Sequence, residues 1–158
     1  MPEPTPPTVI PSPGGEVVIV TPRQQELYDT WKYAPARRAG DYVYVSGVVI
    51  SRAPDGPCTP EAFQAQARLA FQRIAALLQA FGAGFPDVVM INSFHDWAAP
   101  EFAGDRMAQF EAFNAVKDEF MGEPHAAWTA VGTSALIRSE GIVEVQMIAY
   151  QPQGGTSP

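Results

Sequence analysis

The stretch TPEAFQAQARLAFQRIAALLQAFG, residues 59–82, decides the fold. Thr59 can cap a helix, Pro60 suits its first position, and Glu61 stands near the positive end of the helix dipole. Phe63, Ala67, Ala70, Phe71, Ile74, Leu78 and Phe81 then recur at steps of three and four, so one apolar stripe runs down the helix. Gly82 and Gly84 stop it. A helix with a single apolar stripe needs a surface to cover, and the segments on either side supply strands.

Forward of that helix, Val88 to Phe94 predicts a strand. A second helix follows from about Asp105 to Met121, with Met107, Phe110, Phe113, Val116, Phe120 and Met121 inward; Gly122 and Pro124 end it. Two closing strands are predicted at about 126–133 and 142–151, joined through Ser139-Glu140-Gly141. Backward of the helix, Arg52 to Pro57 is a loop. Before it, Tyr33 to Arg38 and Asp41 to Ile50 predict a hairpin turning at Ala39-Gly40-Asp41. In the second strand of the hairpin Tyr42, Tyr44 and Ser46 share one face; Val43, Val45 and Gly47 share the other. Glu16 to Val20 is a short strand, and Thr21-Pro22 opens a short helix through Leu27 and Tyr28. The order predicts an α+β fold: a single β-sheet with two long helices packed on one face.

At 158 residues the chain predicts one domain, residues 16–151. Residues 1–15 hold six prolines and predict a disordered or extended arm; residues 152–158 predict a disordered tail. The net charge of −7 opposes binding to a phosphate backbone, so nucleic acid is not an expected partner. Cys58, the lone cysteine, excludes an intrachain disulfide and suits a cytoplasmic setting. The N-terminus lacks the basic and apolar regions of a signal peptide, and no apolar run reaches the ~20 residues of a membrane helix.

The strands carry apolar or aromatic residues on both faces: Tyr42 and Tyr44 against Val43 and Val45, and Ile142 and Ile148 against Val143, Val145 and Met147. One layer of helices covers one face only. The other would be a large apolar patch in a monomer, so it is expected to pack against further copies of the chain.

Few motifs carry chemistry on their own. His95, Asp96 and His125 lack a metal-ligand spacing, so no metal is expected. No Gly-x-Ser-x-Gly elbow, Gly-x-Gly-x-x-Gly or phosphate loop occurs, and no cofactor is expected. Glu144 lies in an alternating apolar strand and reads two ways: a solvated carboxylate on an outer face, or a functional group, either a general acid or a carboxylate that positions water.

Three segments together resemble the RidA family, also called YjgF or L-PSP. Gly40-Asp41-Tyr42-Val43-Tyr44-Val45-Ser46-Gly47 is similar to its Ser-Gly strand, Phe113 to Met121 to its Asn-bearing helix, and Val143 to Ala149 to its final strand. The resemblance spans roughly Tyr33 to Tyr150. It implies a chorismate mutase-like fold and a homotrimer with ligand pockets in the clefts between subunits. It also implies hydrolysis of the C=N bond of a small enamine or imine, a deaminase activity without cofactor. Glu144 then holds the water, while Tyr33, Ser46 and Asn114 line the pocket. The family's carboxylate-gripping arginine is replaced by Trp128, which implies a flatter, less anionic ligand stacked on the indole. His125 is placed to donate a hydrogen bond to the ligand. Lys117 stands where the helix usually has tyrosine and completes the binding set. A non-catalytic small-ligand-binding trimer is the alternative; the endoribonuclease activity of the family's older name is a third reading, which the acidic charge opposes.

Overall fold

The last strand sits near the middle of the sheet. The computed structural model describes residues 6–56 and 58–154. Among them are strands β1 (Thr8–Ser12), β2 (Gly15–Ile19), β3 (Ala36–Ala39), β4 (Tyr42–Ser51), β5 (Val88–Asp96), β6 (Ala127–Thr133) and β7 (Gly141–Tyr150). The helices are α1 (Pro22–Trp31), α2 (Pro60–Ala80) and α3 (Arg106–Phe120). All seven strands join one sheet in the order β1-β2-β3-β4-β7-β5-β6. β7 runs antiparallel to both β4 and β5, and β6 runs parallel to β5. α2 therefore crosses from β4 to β5 and leaves a slot that β7 fills. α3 makes the crossover that the parallel pair β5–β6 requires.

The core forms where α2 and α3 cover one face of the sheet. Val43, Val45, Ile91, Val143, Val145 and Met147 meet Phe63, Phe71, Ile74, Leu78 and Phe113 there, all buried. Each large side chain so buried contributes about 1.5–3 kcal/mol. The predicted stripe of α2 is buried as expected, with Leu77 added to it. Outside the core, Arg68 on α2 donates two hydrogen bonds to Glu119 on α3, at 2.6 and 2.7 Å. Those bonds hold the Glu119 carboxyl below its ordinary range.

Several expectations are corrected. The arm does not stay disordered throughout: Thr8–Ser12 pairs with β2, turning through Pro13 and Gly14, the latter at φ 80°. β1 is an edge strand, where prolines are tolerated because one side of the ladder needs no partner. Residues 1–5, and 155–158 of the expected tail, lie outside the described residues, while 152–154 form neither helix nor strand. Met107 faces solvent at 53 % exposure, and the polar Gln109 and Lys117 occupy the inner side of α3 instead. Ile142 joins the core rather than the outer face. Finally, Gly47 leaves the core face. Val45 pairs with Met147 but Val48 with Val145, so Ser46 and Gly47 together oppose Gln146 alone. That bulge resets the alternation of β4.

Candidate functional site

Glu144 stands on the sheet face opposite the helices. It pairs with Val49 of β4 and Phe94 of β5, is partly buried, and forms no ion pair or side-chain hydrogen bond among the described residues. The bulge in β4 gives it room. A β-carbon built on Gly47 would overlap Oε1 of Glu144 and lie 2.8 Å from its Cδ. Only glycine lets the carboxylate lie against that backbone.

The bulge also fixes the neighbours. The Ser46 hydroxyl donates to the carbonyl of Ala34 at 2.6 Å, and the Ser46 amide donates to that of Pro35 at 2.9 Å. Ser46 thereby pins the segment that carries Tyr33, and its hydroxyl oxygen keeps only acceptor capacity for a ligand. α1 adds Arg23, Leu27 and Trp31, and the loop between β6 and β7 adds Ile137 and Arg138. These groups enclose a cavity of about 300 Å³ with Glu144, Tyr33 and Ser46 in its wall. The cap that starts α1 is the predicted one: Thr21 accepts from the Gln24 amide.

The other four expected site residues line a different cavity. Asn114, Lys117, His125 and Trp128 surround about 290 Å³ between α3 and the start of β6. Trp128 points to the helix side of the sheet. Its ring stacks on Phe110, with centroids 5.2 Å apart and planes 9° from parallel. The Lys117 ammonium lies 5.2 Å from the ring centroid and 2.6 Å from Asp118 Oδ1. Asn114 donates to Asp118 at 3.3 Å, and His125 is exposed, 3.7 Å from Glu123. Within the chain, then, Tyr33, Ser46 and Glu144 come together on one sheet face, and Asn114, Lys117, His125 and Trp128 on the other.

Beneath Trp128 runs a buried polar chain that sequence reasoning missed. Trp128 Nε1 donates to Ser93 Oγ at 2.8 Å, and Ser93 Oγ lies 2.8 Å from His95 Nε2. His95 Nδ1 lies 3.3 Å from Gln109 Oε1, while Gln109 Nε2 donates to the carbonyl of Asp96 at 2.9 Å. Gln109 therefore offers an acceptor to the histidine, which assigns the proton to Nδ1 and leaves Nε2 to accept from Ser93. Trp128, Ser93, His95 and Gln109 each have partners for their buried polar atoms, which is what burial demands. In sequence, Ser93 and Gln109 look like ordinary surface polar residues. Their one signal is position: Ser93 alternates with Ile91 and His95 on β5.

His95 is wholly buried, and desolvation pushes its pKa down to about 4 despite the Gln109 bond. The unfolded chain binds a proton near the ordinary value of 6.5; the folded one does not until about 4. The contribution of His95 to stability is therefore level above pH 6.5 and falls as pH drops from 6.5 toward 4. The expected loss over that window is about 3 kcal/mol. Urea denaturation across pH 4–7 checks this, and His95→Gln should flatten the slope.

Among the described residues no cluster of three His, Cys, Asp or Glu side chains could hold a metal ion. Cys58 is buried and unpaired. No described helix is long and apolar enough to cross a membrane.

Comparison with known proteins adds to this picture. The family model described as Endoribonuclease L-PSP matches residues 23–151. The RutC family protein YjgH of Escherichia coli (strain K12) is 39% identical over 131 residues, which cover 82% of this chain and 91% of that protein. A solved structure of protein YJGH superposes with a TM-score of 0.63 at 33% identity, covering 94% of this chain and 99% of that one. A protein of Dermatophagoides farinae named 2-iminobutanoate/2-iminopropanoate deaminase is 28% identical over 116 residues, 73% of this chain and 83% of its own.

Proposed function

The chain belongs to the Endoribonuclease L-PSP family, the RidA/YjgF family of the sequence resemblance, and on that premise we propose that it hydrolyses the C=N bond of a small imine or enamine. The observation that carries the reading is the unpaired Glu144 carboxylate, set against a glycine bulge in a cavity that also holds the hydroxyl groups of Tyr33 and Ser46. A distant relative bears the name of an imine deaminase, in keeping with this chemistry.

The chemistry needs one carboxylate and one water. Glu144 accepts a proton as the water oxygen attacks the carbon of the protonated imine, giving a neutral carbinolamine. It returns that proton to the nitrogen; as the C–N bond breaks, the carboxylate takes the hydroxyl proton while the C=O bond forms, and the carbonyl product and ammonia leave. Tyr33 donates its phenol hydrogen to orient the ligand, and the Ser46 oxygen accepts from it. Within one chain Trp128 lines the other cavity, its indole stacked on Phe110 and bonded to Ser93. Lys117, Asn114 and His125 reach the ligand only across a subunit boundary, as a trimer of the family type would allow. The same assembly covers the outer sheet face, and the lone buried thiol suits a cytoplasmic protein.

The direct test supplies enamines from a serine or threonine dehydratase and follows keto-acid release. The protein should accelerate release above buffer; a rate equal to buffer rejects the activity on those substrates. A second expectation concerns the bulge. Gly47→Ala should keep the fold, since Gly47 lies on the outer face, yet push the carboxylate aside and slow hydrolysis by up to about 10²-fold. A melting curve and the same assay check both halves.

A further inference from the structure

A second cavity adjoins the Glu144 pocket, and its charge is opposite to that of the whole chain. It lies between the start of α1 and the exposed side of α2 and measures about 600 Å³. Arg23, Arg73 and Arg138 line it, with Gln24 and Gln72 beside them, and no acidic side chain does. The chain has only ten Lys and Arg against seventeen Asp and Glu, so three cations in one hollow without an acid make a local positive well in a molecule of net charge −7. Arg23 leans on Glu26 at 2.6 Å, an exposed pair that a bound anion can displace. Arg73 and Arg138 form no ion pair among the described residues. Arg23 and Arg138 also line the Glu144 pocket, so the two hollows share a wall.

We infer that the cavity between α1 and α2 is an oxyanion subsite, taking a phosphate or carboxylate carried by a ligand whose other end lies at Glu144. Planar guanidinium forks suit both oxyanions, because each offers several N–H donors in a fixed plane. The hollow is concave and of small-molecule size, which fits a metabolite rather than a macromolecular surface. The substrate class narrows accordingly to an imine or enamine with an anionic group remote from its C=N bond. This narrowing rests on the hydrolase reading; the oxyanion binding does not. It also reverses the expectation that loss of arginine at position 128 makes the ligand less anionic. The cations come instead from α1, α2 and the loop before β7.

Titration with inorganic phosphate, and separately with acetate, at constant ionic strength tests the subsite through backbone amide shifts. Saturable changes are expected at residues 20–24, 69–76 and 138. The Arg73→Gln/Arg138→Gln double variant should weaken them by about tenfold or more, and Glu144→Gln should leave them unchanged. The tighter of the two ions identifies the group the subsite prefers. Both substituted arginines are exposed, so the variant should remain folded. No saturable change with either ion, or changes that survive the double variant, overturns the inference. The kinetic arm separates the two claims. Phosphate binding by a protein that hydrolyses no imine leaves the subsite standing and removes the hydrolase. Hydrolysis that shows no rise in KM for an anion-bearing imine in the double variant removes the subsite's place in catalysis.

Discussion

Glu144→Gln should lower imine hydrolysis by about 10²–10⁴-fold while leaving the melting temperature nearly unchanged. The amide keeps the shape of the side chain but cannot take a proton from water at neutral pH. No partner is lost by the change, because Glu144 has no ion pair or side-chain hydrogen bond among the described residues. The loss should fall on kcat, with KM little altered, since the carboxylate acts on the water and not on the ligand's binding groups. Steady-state keto-acid release by the two proteins measures it. Equal rates would move the chemistry away from Glu144. Ligand binding retained in Glu144→Gln, with no turnover by the native protein, would favour a small-ligand-binding protein instead.

Tyr44→Asp should convert the proposed trimer into a folded monomer. Tyr42, Tyr44, Phe94, Val131 and Tyr150 are each between 37 and 43 % exposed, and their pairing registers put them on the face that carries Glu144. Tyr42 and Tyr150 pack at 5.3 Å and Tyr42 and Tyr44 at 6.5 Å, so the rings form one continuous surface. Soluble monomers avoid so broad an apolar face, and a closed ring of three copies would bury it. A carboxylate in its centre must be desolvated on assembly without a partner. Sedimentation equilibrium should give about three times 17.1 kDa for the native protein and a single chain mass for the variant. A native monomer at micromolar concentration would contradict both the trimer and the shared cleft.

The fold was legible where periodicity was strong. The stripe from Phe63 to Phe81 and the alternation from Val143 to Ala149 each predict a buried face, and both are buried. β1 was hidden because the prolines around Val9 and Ile10 match the composition of a disordered arm, and an edge strand tolerates proline. The bulge at Ser46-Gly47 was hidden because strict alternation assumes no extra residue. It matters most for function, since it turns Gly47 toward Glu144. Gln109 and Ser93 were hidden because a buried amide or hydroxyl has no hydrophobic signature; only the partners His95 and Trp128 justify its burial. Arg23, Arg73 and Arg138 come from three distant segments, so their shared cavity exists only after folding.

The central claim is that Glu144, Tyr33 and Ser46 hold the reacting end of the ligand. A crystal structure of the protein with a stable 2-oxo acid that also carries a second, remote anionic group, as a product of imine hydrolysis would, tests it most directly. The oxo carbon should lie beside Glu144, with one water donating to both the carboxylate and the carbonyl oxygen at about 2.6–3.2 Å from each. An oxo acid bound elsewhere, with the Glu144 cavity holding solvent alone, would contradict it.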